Sequence, residues 1–144
     1  MVLPIFLVLV FAIVDFGMGL NAWITVTNSA REGARLGAVQ APLGVSSSPC
    51  YGKSSPTQCI VDRVRATTCP DADPVCLSKL TVTVSFVDRN GDGTSNGSGD
   101  SVVVKAVYRY SFISPLSSLV SFVCPTCNVG PTLNISSTAD MRLE

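Results

Sequence analysis

The chain has 144 residues, ten basic and ten acidic side chains and no histidine, and 47% of it is hydrophobic. Balanced charge without a basic cluster leaves no electrostatic footprint for nucleic acid. With histidine absent and no nucleophile and base pair standing out, the sequence reads as non-enzymatic.

The opening run, MVLPIFLVLVFAIVDFGMGLNAWI, carries a single charge at Asp15. It exceeds the roughly 20 apolar residues needed to cross a bilayer core. Small and polar residues continue the helical pattern through TVTNSAREGARLGAVQA until Pro42. Together they predict one rod of about 40 residues, roughly 60 Å long at about 1.5 Å per residue. A secretory signal peptide would carry basic residues ahead of its apolar core, whereas the first basic residue here is Arg31, so the run reads as a retained membrane anchor. Asp15 then needs a partner or an interfacial position, because a carboxylate deep in hydrocarbon costs about 2.5 to 3.5 kcal/mol.

Within residues 26–41, Ala30, Ala34 and Ala38 repeat at a spacing of four, and Gly33 and Gly37 form a GxxxG pair beside them. Such a face permits close backbone approach, either to another helix or to the protein's own sheet; the sheet is the expected neighbour. Arg31, Glu32 and Arg35 fall on the other side and read as solvated. Ser29 and Glu32 match a capping box that would break the rod near Asn28, but no proline or glycine interrupts residues 20–32, and continuity is expected.

From residue 41 to 79 the chain turns rich in proline, serine and glycine and reads as a loop. Inside it, residues 57–68 place Ile60, Val61 and Val64 on one face opposite Asp62, Arg63 and Arg65, which predicts a short second helix. Six cysteines all lie after Val45; an even count in a small exported domain reads as disulfides in an oxidising compartment. The most local pairing joins Cys50 to Cys59, Cys69 to Cys76 across the rigid turn CPDADPVC, and Cys124 to Cys127, one of 15 arrangements that six cysteines allow. The Cys124-Pro-Thr-Cys127 motif lacks a second CxxC or a histidine, and so reads as structural rather than redox-active or zinc-binding.

Two runs alternate with the period of a half-buried strand. Leu80, Val82, Val84 and Phe86 alternate with Thr81, Thr83 and Ser85. Val102, Val104, Ala106, Tyr108, Tyr110 and Phe112 alternate with Ser101, Lys105, Arg109 and Ser111. A third strand places Leu133, Ile135, Ala139, Met141 and Leu143 on one face, with Asn134, Ser136, Thr138, Asp140, Arg142 and Glu144 on the other. Residues 114–127 supply a turn and a short apolar helix broken by Pro115. The expected class is α+β, with a long N-terminal helix (1–40) packed on a small antiparallel β-sheet domain (41–144).

The connection between the first two strands matches the start of a calcium loop, D-x-[DN]-x-[DN]-G, at Asp88, Asn90, Asp92 and Gly93, with Asp100 as a late carboxylate. Its twelfth position is Gly99 instead of glutamate, and no helices flank it. Two readings therefore stand: a calcium site as the only cofactor, or a long hairpin tip built from Asn-Gly and Asp-Gly turns. Asn96-Gly-Ser98 and Asn134-Ile-Ser136 match glycosylation sequons.

VLPIFLVLVFAIVDFG, SAREGAR, the strand ending YRYSF and the closing ADMRLE together resemble a TadE-like protein of the type IV pilin superfamily, the Tad pilus type. The cysteine-rich middle lies outside this resemblance. Asp15 matches the carboxylate that precedes Phe-Gly in the family's apolar block, and Arg31, Glu32, Gly33 and Arg35 match its REGAR box. The resemblance implies a pilin, held in the cytoplasmic membrane before assembly and then extracted by pilus assembly machinery into an extracellular homo-oligomeric filament. Its polymerising residues would be Val2, Leu3, Ile5, Phe6, Leu7, Val10, Phe11, Val14, Asp15 and Phe16, whose apolar surface gains about 25 cal/mol per Å² when it is buried among copies. The family's peptidase site and early glutamate, which precede the equivalent of Met1 to Pro4, do not occur within these residues, leaving Asp15 as the carboxylate for pairing with an N-terminal amine. The alternative is a membrane-anchored minor pilin or adhesin module that does not build the filament body.

Overall fold

In a computed structural model, which describes residues 2–40, 46–95, 97–112 and 132–143, helix α1 (Val2–Ala38) runs 37 residues without a break. Pro4 falls in its first turn, where a missing N–H costs nothing. The Ser29 to Glu32 capping box is not used: Ser29 is buried inside the helix, donates to the Val26 carbonyl oxygen at 2.9 Å and accepts from the Thr68 hydroxyl at 2.8 Å. The rod ends four residues before Pro42. Val39 N–H returns to the Arg35 carbonyl at 3.2 Å, Gln40 N–H returns to the Gly37 carbonyl at 3.1 Å, and Gln40 adopts a left-handed φ of 46°. Left-handed backbone just past a helix is a usual termination, though glycine normally supplies it.

Helix α2 (Pro56–Thr68) starts where Ser55 accepts a hydrogen bond from Gln58 N–H and Pro56 takes the first turn. It buries Cys59, Ile60 and Val64; Val61, expected on that face, is only half-buried. A third helix, α3 (Pro74–Lys79), begins inside the segment read as a rigid turn and runs past it, capped by the Asp73 carboxylate on Val75 N–H at 3.0 Å. Disulfides join Cys50 to Cys59 and Cys69 to Cys76, with Cα separations of 5.3 and 5.9 Å, which tie both ends of α2 to the chain beside them. Cys124, Cys127, the 114–127 turn and Asn96 lie outside the described residues.

Strands β1 (Leu80–Val87), β2 (Ser101–Ser111) and β3 (Thr132–Arg142) form an antiparallel sheet with β2 in the middle. Val84, Val104 and Ala139 line up across it, as do Phe86, Val102 and Met141. That face is the apolar one, and Val102, Val104 and Ala106 of the central strand are fully buried. Leu133 departs from the alternation, standing 52% exposed near the start of β3.

The core lies between this face, α1 and α2. Ala30, Gly33, Ala34, Gly37 and Ala38 are buried, and the two glycines mark the closest approach. A Cβ at Gly33 would stand 2.5 Å from Val64 Cγ2, and one at Gly37 would stand 2.9 Å from Ile60 Cδ1 and 3.0 Å from Val102 Cγ2. The small-residue face of α1 is therefore occupied by the chain's own sheet and second helix.

Candidate functional site

The front of α1 is apolar and uncovered. Phe6, Leu7, Val10, Phe11, Val14 and Phe16, all expected to polymerise, are between 36% and 69% exposed, and Leu9, Ile13, Leu20, Trp23 and Ile24 join them. Of Val2, Leu3 and Ile5, their place in the helix is what the structure describes. Exposed patches on soluble monomers seldom exceed about 300–600 Å². Eleven large side chains at about half exposure present on the order of 1,000 Å². By length and composition, Leu9–Ala38 alone suffices to cross a membrane.

Asp15 is the exception in this stretch, at 3% exposed. The end of the sheet meets α1 at this level: the Tyr110 hydroxyl donates to the Asp15 carbonyl oxygen over a long 3.4 Å, and the Gly19 position lies 3.9 Å from the Tyr110 ring. Burial, followed by the nearby Asp15 and Tyr108 charges, raises the Tyr110 pKa above its ordinary value. Phe112 packs edge-on against Tyr110 with ring centroids 5.8 Å apart. Between α1 and the ends of β2 and β3 lies a groove of about 410 Å³, walled by Phe16, Leu20, Trp23, Tyr110, Phe112 and Leu133, with Asn134 and Ser136 at its border. Periodicity could assign each of these residues to a helix or strand face. It could not reveal that the end of one meets the middle of the other.

The REGAR segment is less solvated than its pattern suggests. Glu32 accepts from Arg35 Nε and Nη2, each at 3.2 Å, and from Arg63 Nη2 of α2 at 3.1 Å, so it bridges two helices. The Arg35 hydrogen bond holds the Glu32 carboxyl below its ordinary pKa; burial, next in size, opposes it, and the Arg63 hydrogen bond and the two guanidinium charges add to the lowering. Arg31 is exposed.

The loop at residues 88–100 uses its carboxylates on its own backbone. Asp88 accepts from Gly91 and Gly93 N–H at 2.6 and 3.0 Å, and Asp92 accepts from Thr94 N–H and Oγ1 at 2.7 and 2.6 Å. Asn90 donates to Asp92 at 2.9 Å. Asp100, fully buried, accepts from Arg89 N–H at 3.1 Å and Gly97 N–H at 2.8 Å, while its own backbone pairs with Leu143. Asp92 and Asp100 approach each other across Gly97, but among the described residues no three acidic, histidine or cysteine side chains converge on a common point. As arranged, the carboxylates expected to hold calcium close turns of the loop's own backbone, with lone pairs left over beside those bonds.

Residues 1–35 match the TadE-like protein family. The TadE-like segment is thus most of α1: the uncovered apolar half, Asp15, and the small-residue half through Arg35. It stops before α2, the disulfides and the sheet. The chain matches none of the curated proteins and none of the solved structures with which it was compared.

Proposed function

We propose that this chain is a structural, non-catalytic subunit of a type IV-like (Tad) pilus, anchored in the cytoplasmic membrane by α1 and polymerised through it into an extracellular filament. The observation that carries the reading is the uncovered apolar half of α1, in the segment that resembles TadE-like proteins. About 1,000 Å² of such surface has two stable environments, lipid or other apolar helices, and transfer from one to the other exchanges apolar surroundings without exposing the helix to water. The sheet domain then decorates the outside, and its two disulfides stiffen a domain with little core of its own.

The test is immunogold electron microscopy of material sheared from cells, combined with N-terminal peptide mass spectrometry. The expected result is a filament labelled along its length, with peptides from the 6–24 stretch present. Label confined to tips, or to the cell envelope, assigns the chain to a minor subunit or an anchored binding module. Extracellular material beginning beyond Ile24 overturns the reading.

A further inference from the structure

We propose that the outer face of the sheet, the one turned away from α1, is a docking surface for an acidic polysaccharide, a polymer of sugars that carry carboxylates. The inference goes beyond the assembly reading and takes from it only that this face looks outward. The ten basic residues are scattered along the sequence, but the fold brings five of them to this face and its rim. Lys105 and Arg109 stand on the wet side of β2, Lys105 between Thr83 and Thr138, and Arg109 beside Asn134. At one end Lys79 Nζ donates to the Ser111 hydroxyl at 3.1 Å; at the other Arg89 Nε donates to the Ser101 hydroxyl at 3.0 Å, and Arg142 is the β3 partner of Ser101. Asp140, held by Arg89 at 2.6 Å, is the one carboxylate that the described strand residues place here. Lys105 and Arg109 are exposed and, among the described residues, have no ion-pair partner. A chain of zero net charge therefore turns an excess of positive charge to one side.

Geometry selects the kind of anion. Arg89, Ser101, Asp140 and Arg142 line a hollow of about 400 Å³. Arg142 uses Nε on the Gly99 carbonyl at 3.1 Å, which leaves its Nη groups for a ligand, and a guanidinium suits the planar carboxylate. From the level of Ser101 to Lys105, and again to Arg109, is four residues of strand, about 13 Å each at roughly 3.3 Å per residue. Positive charge is thus sparse, with threonine hydroxyls and the Asn134 amide between the cations, an arrangement that meets a polymer whose anions are separated by uncharged, hydroxyl-rich stretches. Duplex DNA carries a charge about every 1.7 Å, and single strands need aromatic side chains to stack on, of which the wet positions of the described strands offer none. A bilayer is also disfavoured. Val102 lies against the Gly37 position and Tyr110 against Gly19, so the strands run along α1, and a membrane crossed by α1 meets the edge of this face and not its breadth.

The test measures binding of the full chain, held unassembled in nanodiscs of zwitterionic phosphatidylcholine, to polygalacturonate at physiological ionic strength with chelator present. Binding to polygalacturonate and none to uncharged dextran is expected. Lys105→Glu together with Arg109→Glu is expected to weaken binding on the order of tenfold, with both disulfides formed and the melting temperature unchanged, because neither side chain holds another part of the fold. The same change of charge placed elsewhere, at the exposed Arg31 and Arg65 (Arg31→Glu with Arg65→Glu), is expected to leave binding within about twofold, since charges more than about 8 Å away are screened. No binding to polygalacturonate, an equal loss in both double variants, or tighter binding to double-stranded DNA or to phosphatidylglycerol vesicles overturns the proposal. Because the chain is unassembled in this assay, filament microscopy is scored separately. Filaments without polymer binding retain the pilus reading and remove the docking face, whereas polymer binding without filaments does the reverse.

Discussion

The tightest point in the molecule is Gly33, and adding one methyl there tests the account of how the rod is held. A Cβ at that position would sit 2.5 Å from Val64 Cγ2, while its next neighbours, Ile60 Cγ2 at 3.4 Å and Val104 Cγ1 at 3.5 Å, are at tolerable distance. An ordinary carbon contact is about 3.5–4.0 Å, so a single methyl of α2 carries an overlap of about 1 Å. Gly33→Ala gains about 1 kcal/mol of helix propensity, and overpacking of this kind costs about 1–3 kcal/mol. The net expectation is a loss of about 1 kcal/mol, read as a Tm lower by about 4–8 °C for a domain of this size. Val64→Ala alone is expected to cost about 2 kcal/mol through the cavity it leaves. In that background the overlap is gone, and Gly33→Ala should stabilise by about 1 kcal/mol as propensity acts unopposed. The assay is thermal unfolding of all four proteins in one detergent, disulfides intact, followed by near-ultraviolet circular dichroism. If Gly33→Ala costs the same with and without the Val64 methyls, the close approach of α1 to α2 is not where the structure puts it.

Four further outcomes follow from other parts of the molecule. Gln40→Gly should raise stability by about 0.5–1 kcal/mol, because Gln40 holds a left-handed φ of 46° that glycine adopts freely; an unchanged or lower melting temperature would contradict the helix termination described. Glu32 has a folded-state pKa below its ordinary 4.5, so its stabilising effect is complete above that value and is lost as pH falls through the lower folded value. Glu32→Gln should thus cost a few tenths of a kcal/mol to about 1 kcal/mol near neutrality, and its acid unfolding curve should converge with that of the parent chain once pH has fallen through the lowered folded-state value. Asp100→Ala should cost about 2–3 kcal/mol by stranding the amides of Arg89 and Gly97. Melting in calcium and in chelator should coincide if the loop's carboxylates serve its own turns alone, and a melting temperature raised by calcium would show that they also hold the ion.

The strands were legible because a sheet with one wet face forces an apolar residue at every second position, and residues 80–86 and 102–112 obey that rule nearly without exception. The long helix was legible because its apolar run is unbroken and its one proline falls in the first turn, although Gly17, Gly19, Gly33 and Gly37 each disfavour helix. Leu133 and Glu32 show what local patterns leave out. Leu133 belongs by period to the buried face, but it lies near the strand's start, where α1 and the sheet diverge and leave the groove. Glu32 reads as one more solvated charge until α2 brings Arg63 within 3.1 Å. The calcium motif shows one pattern serving two uses, because the same Asp and Asn spacing that gathers oxygens around a cation also closes Asx turns on backbone amides, as it does here.

Amino-acid order alone settled the apolar rod, its small-residue face and the alternation of the strands, because each depends on residues within a few positions of one another. Three matters needed the folded chain: which neighbour fills the notch at Gly33 and Gly37, where Asp15 finds shelter, and that a groove opens beside Trp23. Each depends on residues distant in sequence, Gly37 and Ile60 or Asp15 and Tyr110, meeting at a given height along the helix, and that height is set by how tightly the intervening side chains pack.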